Sequence, residues 1–448
     1  MNTTRQAAIP TERVSKIKQY KTHRTKLTVM NKIKILILTA LATVCGAYAQ
    51  NVTTPYSMYG YGILGDRATS MQRQMGSVGY AMNSGRQINV MNPASYASID
   101  SLTFLFDIGA DVSLLWQKEG DAREHSTGGG LDYVTMQFPI CKFIGASIGM
   151  LPYSSVGYAF GKDVSHGAME NQGSGGINQA YVGVAGKYAG FSLGFNFAYS
   201  FGNIINDVYS IPSTTGQTLF EHVMQIRDWD LNFGLQYTAK LSRTDRMTIG
   251  VTYAPKKSLH GDTWATIQET TKESEPDTVA SMKMGGNYYT PMSVGAGISY
   301  RHERSSRWMV EADVTFQQWS KAKYSPLYEI GNPENMVFEG MQFNNRTRFA
   351  LGGEIVPKIR GNYVQRMSYR AGAYFNNDYL NIRGNRVREY GVTAGFGFNT
   401  PEGKTMINLG LEWKRRQAHP TPLLTENYFN ITLGVNVNEL WFFQRRIK

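Results

Sequence analysis

Two short motifs in this chain have the spacing of known chemistry. Gly60-Tyr61-Gly62-Ile63-Leu64-Gly65 matches a dinucleotide-binding loop, where glycines let the backbone wrap a pyrophosphate at a helix start. It follows no strand and opens no helix, so nothing positions that chemistry. Gly145-Ala146-Ser147-Ile148-Gly149 matches a nucleophile elbow. Its glycines and serine fall on alternate positions, as the small face of a strand would. His125, His166, His222, His260, His302 and His419 show no metal-ligand spacing, and most fall in loops or at strand ends, where solvated side chains are expected. With no visible pairing of nucleophile and base, the reading is a non-enzyme that needs neither cofactor nor metal.

What does repeat is an alternation of greasy and small residues. Leu193, Phe195, Phe197, Tyr199 and Phe201 alternate with Ser192, Gly194, Asn196, Ala198, Ser200 and Gly202. Leu102, Phe104, Phe106, Ile108, Ala110, Val112 and Leu114 oppose Thr103, Asp107, Gly109, Asp111 and Ser113 in the same way. The last such segment sets Phe429, Ile431, Leu433, Val435 and Val437 against Asn430, Thr432, Gly434, Asn436 and Asn438. The pattern recurs about 14 times, more apolar strand face than one soluble core can absorb. A closed sheet with hydrocarbon outside and a polar lumen inside accommodates it. The fold class is therefore all-β, a transmembrane antiparallel β-barrel of about 14 strands.

After the first strand, strands are expected near 130–141, 143–160, 177–188, 191–205, 224–241, 246–265, 280–302, 307–320, 340–356, 365–378, 386–400, 404–417 and 427–441. Tight turns at Cys141-Lys142, Tyr188-Ala189-Gly190, Ser242–Asp245, Arg304–Ser306 and Pro401–Gly403 are assigned to the periplasmic side. Longer polar loops at 116–129, 161–176, 206–223, 266–279, 321–339 and 379–385 are assigned to the outside. Residues 51–101 do not alternate and read as an irregular segment with short helical turns.

Residues 1–49 read as a leader and signal peptide. Lys32 and Lys34 precede an apolar run from Ile35 to Val44, and Ala47-Tyr48-Ala49 is a small-x-small cleavage site before Gln50. The run is too short to span a bilayer as a helix. Met30-Asn31-Lys32 begins an ordinary signal peptide, so residues 1–29 look like a start placed too far upstream or an overlong leader. Val44 ahead of Cys45 is a poor lipobox residue. The leader holds nine Lys/Arg and one acidic residue, so its removal takes the formal net charge from +12 to +4 and the nucleic-acid reading with it. Cys141 alone remains of two cysteines, so no intrachain disulfide forms. No later stretch reaches ~20 apolar residues, and no linker divides the remainder.

Gly76-Ser77-Val78-Gly79-Tyr80, then Asn92-Pro93-Ala94-Ser95-Tyr96 followed at once by the first strand, resemble the FadL-type family of outer-membrane transporters with its TodX-like aromatic hydrocarbon channels, in a Bacteroidetes-like form. Leu151-Pro152-Tyr153-Ser154 in the third strand adds to the likeness. The resemblance implies an N-terminal hatch at 50–101, carrying Asn92, Pro93 and Ala94, inside a barrel formed by 102–448 of a Gram-negative outer membrane. It implies passive uptake of hydrophobic small molecules such as long-chain fatty acids, through an apolar lumen site and a lateral gap beside the third strand. Pro152 gives that gap a physical basis, since proline cannot donate to a ladder. The basic tail Leu440–Lys448 departs from the usual terminal aromatic residue. The family also contains PorV-like proteins, which are non-enzymatic partners of a secretion system.

Strand parity points Asp107, Asp111, Asp228, Asp230, Glu311 and Asp313, with Arg346, Arg348, Arg370 and Lys414, into the lumen. The favoured role is an ion-pair network that fills the barrel and pins the hatch; the other is a cation receiving a carboxylate headgroup. Trp116, Trp264, Trp308, Trp319 and Trp413 are placed in the interfacial girdles. The reading is thus a monomeric channel whose partners are a hydrophobic small molecule or fatty acid and outer-membrane lipid. The alternative is a PorV-like partner of a protein secretion or surface-assembly system.

Overall fold

Aromatic and branched side chains at every second position favour extended backbone, and one lipid-facing side demands that every edge be paired. A computed structural model, describing residues 53–213, 216–270, 277–322, 324–327, 341–400 and 404–440, shows how this is met. Fourteen antiparallel strands close into a ring. The first six are β1 Thr103–Glu119, β2 Ala122–Cys141, β3 Ile144–Val164, β4 Gly167–Tyr188, β5 Phe191–Pro212 and β6 Gln217–Lys240. β7 runs in three pieces, Asp245–Ala254, Lys257–Ser258 and Gly261–Thr270; β8 in two, Asp277–Thr290 and Ser293–Glu303. β9 is Arg307–Gln317, continued by Tyr324–Leu327. β10 Arg346–Val356, β11 Ser368–Ile382, β12 Asn385–Asn399, β13 Thr405–His419 and β14 Thr425–Leu440 complete the circuit. β14 pairs back on β1, from Leu440↔Thr103 to Thr425↔Lys118.

The alternation has its physical counterpart in β5. Leu193, Phe195, Phe197 and Tyr199 are exposed on the outer surface, while Ser192, Asn196, Ala198 and Ser200 are buried inside. Breaks in β7 and β8 fall at Pro255 and Pro291, where the missing N–H interrupts a ladder.

Residues 53–101 lie inside the ring. They form short turns at Pro55–Met58, Ser70–Arg73 and Pro93–Ser98 and a two-residue strand, Ile63–Leu64. Small inward residues make room for them. A Cβ on Gly250 would stand 1.8 Å from the Tyr80 carbonyl oxygen, and one on Gly352 2.0 Å from that of Met75.

The structure corrects several sequence expectations. The stretches 116–129, 161–176 and 206–223 are not long loops: β1 turns into β2 at residues 120–121, and β3 into β4 at 165–166. Outside the bilayer both strand faces meet water, so the alternation fades while backbone pairing continues. Residues 379–385 likewise hold only a tight turn at Arg383-Gly384. Residues 266–270 all belong to β7, and the strand expected at 340–356 starts at Arg346. The leader with Cys45, the Pro401–Gly403 turn and the tail 441–448 lie outside the described residues, as does most of 321–339.

Candidate functional site

The hatch is fixed from its own turns outward. Asn92 caps the Pro93–Ser98 turn, its Oδ1 accepting from the Ala94 N–H at 3.1 Å, and Pro93 supplies the preset φ of a first turn position. The same Asn92 donates through Nδ2 to the Tyr80 carbonyl at 2.7 Å and to Leu235 of β6 at 3.4 Å. Asn89 closes the loop below it, donating to the carbonyls of Gly79 and Met82 at 2.6 and 2.9 Å. Ala94 is fully buried against the wall.

The lumen charges meet this plug. Asp313 accepts from the Gly79 and Tyr80 N–H groups at 2.7 and 3.1 Å, and Glu311 from Ala81 at 2.8 Å. Arg348 donates to the Gly76 and Ser77 carbonyls and pairs with Asp66 at 3.1 Å, which Arg346 approaches at 3.6 Å. Arg370 bridges Gln74 of the hatch to Glu354 and Asn408 of the wall, at 2.7–2.8 Å. Asp107 accepts from Tyr133, whose hydroxyl in turn accepts from the Ser70 N–H. Asp230 faces Arg67 at 3.9 Å. Asp228 is bound by Lys257 and by the His260 N–H. Lys414 stands over the Tyr428 ring, and Asp111 bonds Ser113 at 3.5 Å.

Parity missed several members. Asp132 points inward to Arg73 at 2.8 Å because a register shift between Gly109 and Ala110 makes it the extra residue of a bulge. Asp66, Arg67 and Arg73 sit in the hatch, where no periodicity exists to read. Arg416 joins Glu389 and Glu426 at 2.5 and 3.6 Å. Continuing the even-numbered inward face of β14 back from Asn430 would have found Glu426. Burial raises the carboxyl of Asp66, but Arg348 and Arg346 outweigh it and hold the group at about 2, below its ordinary 3.8.

The third strand shows a break in the wall. β2 and β3 pair only from Cys141↔Ile144 up to Val134↔Met150. Beyond that point β2 stays with β1 as far as Ala122↔Glu119, and β3 with β4 as far as Val164↔Gly167. Their facing edges therefore carry no ladder to each other among the described residues. Pro152 lies at the start of this seam, where a register shift between Pro152 and Ser154 leaves Tyr153 unmatched. The hatch covers β3's free edge. Ile63 and Leu64 pair with Ser155 and Ser154, Gly65 donates to the Tyr153 carbonyl at 2.8 Å, and Thr54 to Gly157 at 2.7 Å. Across the seam, Ser126 of β2 donates to the Thr53 carbonyl at 3.2 Å.

Beneath the outer ends of the strands lies a packed aromatic cluster. Tyr61, Trp319, Tyr324, Phe343 and Tyr379 fill that space by packing on one another, with Trp319 and Tyr379 stacked at 4.4 Å. Trp319 is thus fully buried, not in a girdle; Trp116 and Trp413 are exposed on the outside. A lumen cavity beneath measures about 110 Å³ and is mixed in character, with Asp66, Arg67, Asp230, Arg346 and Arg348 alongside Leu64, Met91, Tyr153 and Pro291. Nor are all histidines solvated. His222 is buried, while His260 and His302 contact Asp228 and Asp245 at 3.1 and 2.8 Å. Cys141 is a free, exposed thiol at the end of β2.

A 14-stranded ring plugged by its own N-terminal segment defines the class: a closed antiparallel β-barrel with the FadL-type fold. Three solved structures share the fold. The toluene transporter TbuX of Ralstonia pickettii is 14% identical, covers 83% of this chain and 98% of its own, and superposes with a TM-score of 0.59. The P. putida toluene transporter TodX is 16% identical over 85% of this chain and 100% of its own, with a TM-score of 0.59. A FadL homologue of Pseudomonas aeruginosa is 12% identical over 84% and 99%, also at 0.59. At such identities the likeness is one of fold. A family model described as BamG matches residues 30–448, and the chain belongs to the BamG family. No curated protein matches it.

Proposed function

We propose that this barrel is a non-enzymatic conduit for hydrophobic small molecules, fatty acids among them, which leave the lumen sideways between β2 and β3. The observation that carries the reading is the seam itself, where the β2–β3 ladder stops at Val134↔Met150 and the hatch occupies the edge it leaves. Backbone polar groups beside lipid must be paired, so a hatch strand that supplies the pairing also closes the exit. A cavity of about 110 Å³ is small beside the roughly 300–1,000 Å³ of ordinary ligand pockets. Passage therefore requires the hatch segment 53–65 to withdraw.

The test is a lock. In a Cys141→Ser background, Leu64→Cys with Ser154→Cys places two thiols at one ladder pair. Oxidised protein in proteoliposomes should take up labelled fatty acid or toluene at least tenfold more slowly than the same protein reduced. Equal uptake in both states would remove the seam as the route.

One observation favours a second reading, a partner in a secretion or surface-assembly system. On either side of the seam, β1 with β2 and β3 through β6 continue their pairing well past the apolar bands, with β5 and β6 still matched at Ser210↔Thr218. That outward sheet is a ready docking surface. Uptake unchanged in a deletion strain, with secreted cargo co-purifying, would select this reading over transport.

A further inference from the structure

The end of the barrel that carries both strand termini holds a row of like charges. Lys240 of β6 pairs in register with Arg246 of β7, and Arg246 pairs on its other side with Arg301 of β8. Like charges directly opposite one another destabilise a sheet, so such a row calls for an external anion. Among the described residues none of the three has an acidic side chain at ion-pair distance. Of the acids nearby, Asp245 is engaged by Tyr300 and His302 and Glu354 by Arg307 and Arg370, which leaves the exposed Glu303 as a single acid beside the row.

The row lies on the inner face of the wall. Thr238, Thr248 and Ser299, two residues before or after each cation, face the hatch, with Ser299 donating to the Ala81 carbonyl at 2.9 Å and Asn83 to Thr238 at 3.2 Å. The cations thus line one side of the mouth directly below the plug. Neighbouring turns extend the surface as one shelf: Glu303 donates to the Thr244 carbonyl at 2.9 Å, and Ile359 to Ser305 at 3.0 Å. Those turns expose Arg243 and Arg304 together with Leu241, Ile359 and Val364.

We infer that this side of the periplasmic mouth docks an acidic, extended segment of a periplasmic polypeptide. Inward parity turns the cation row away from the bilayer, which disfavours a lipid headgroup. Strands stand about 4.8 Å apart, so the three charges are spread along a line and suit several carboxylates better than one phosphate. The exposed apolar turn residues add the desolvated contacts that a polypeptide interface needs. The inference does not depend on the route through the seam.

The test titrates the mature protein in zwitterionic nanodiscs with a labelled twelve-residue oligoglutamate, at low and high salt. Binding should be salt-sensitive. Lys240→Glu/Arg246→Glu/Arg304→Glu should weaken it at least tenfold, and the corresponding three Gln substitutions several-fold. An equal reversal at the opposite end, Lys118→Glu/Arg123→Glu/Lys162→Glu, should leave it within twofold. A heat-modifiable gel shift verifies folding of each variant. Absent binding, or equal loss from both reversals, overturns the assignment. So does displacement of the peptide when anionic phosphatidylglycerol is added to the nanodisc, which would make lipid the occupant.

Discussion

Asn92 joins three pieces of chain with one amide: it caps a turn, holds the Tyr80 carbonyl and reaches β6. A fully buried side chain cannot trade these bonds for water, so Asn92→Ala should cost about 1–3 kcal/mol. The loss should appear as faster proteolytic cleavage within 67–101 while the barrel keeps its gel shift. Asp66 offers a pH-dependent counterpart. Its carboxyl is held at about 2 against an ordinary 3.8 by Arg348 and Arg346 against the effect of burial. A depressed acid stabilises fully above its unfolded value and loses that contribution as pH falls through the folded one. Asp66→Asn should therefore weaken hatch protection from neutral pH down to about 4. The difference from the unsubstituted chain should shrink from about pH 4 and vanish only below about 2; a difference that persists below that would assign the effect to packing.

Elements were legible where one face met lipid. Residues 192–202 of β5 and 429–438 of β14 could be read residue by residue, because the requirement for hydrocarbon contact at every second position is strict. It could not be read in the outer halves of β2 to β6, where no solvent difference imposes it, nor at Asp132, where a bulge shifts parity by one. The hatch has no period at all, so its Asn-Pro-Ala turn was visible only through family resemblance, and its charges not at all. The element that matters most for the seam, the strand Ile63–Leu64, is also of this hidden kind. It depends on Gly62, which sits at φ +83° with a would-be Cβ 2.4 Å from the Ser155 carbonyl oxygen. Gly62→Ala should strain this junction by about 1–3 kcal/mol. The expected result is faster entry of a hydrophobic fluorophore into proteoliposomes; slower or unchanged entry would argue that this strand does not close the seam.

At the scale of the whole molecule, wall and plug share their electrostatics, so removing one changes what the other presents. Asp313, Glu311, Arg348 and Arg370 spend their hydrogen bonds on hatch atoms. Asp132 and Asp230 face the hatch residues Arg73 and Arg67. A chain lacking 53–101 keeps every strand-to-strand ladder of the ring, including the closing pair of β14 and β1. Its lumen would flood; Asp132 and Asp230 would lose their cations and Arg346 and Arg348 their Asp66, while Arg370 keeps Glu354, so the inward Asp107, Asp111, Glu311 and Asp313 tip the emptied wall to the acidic side. Planar bilayer recordings of that chain should show steady conductance that prefers cations, as rings of acidic side chains produce. The intact protein, its lumen filled by residues 53–101, should stay closed under the same voltage. Conductance of equal size in both would mean that ions bypass the plug. An anion-preferring pore would mean that Arg346, Arg348 and Arg370, not the acids, dominate the emptied lumen.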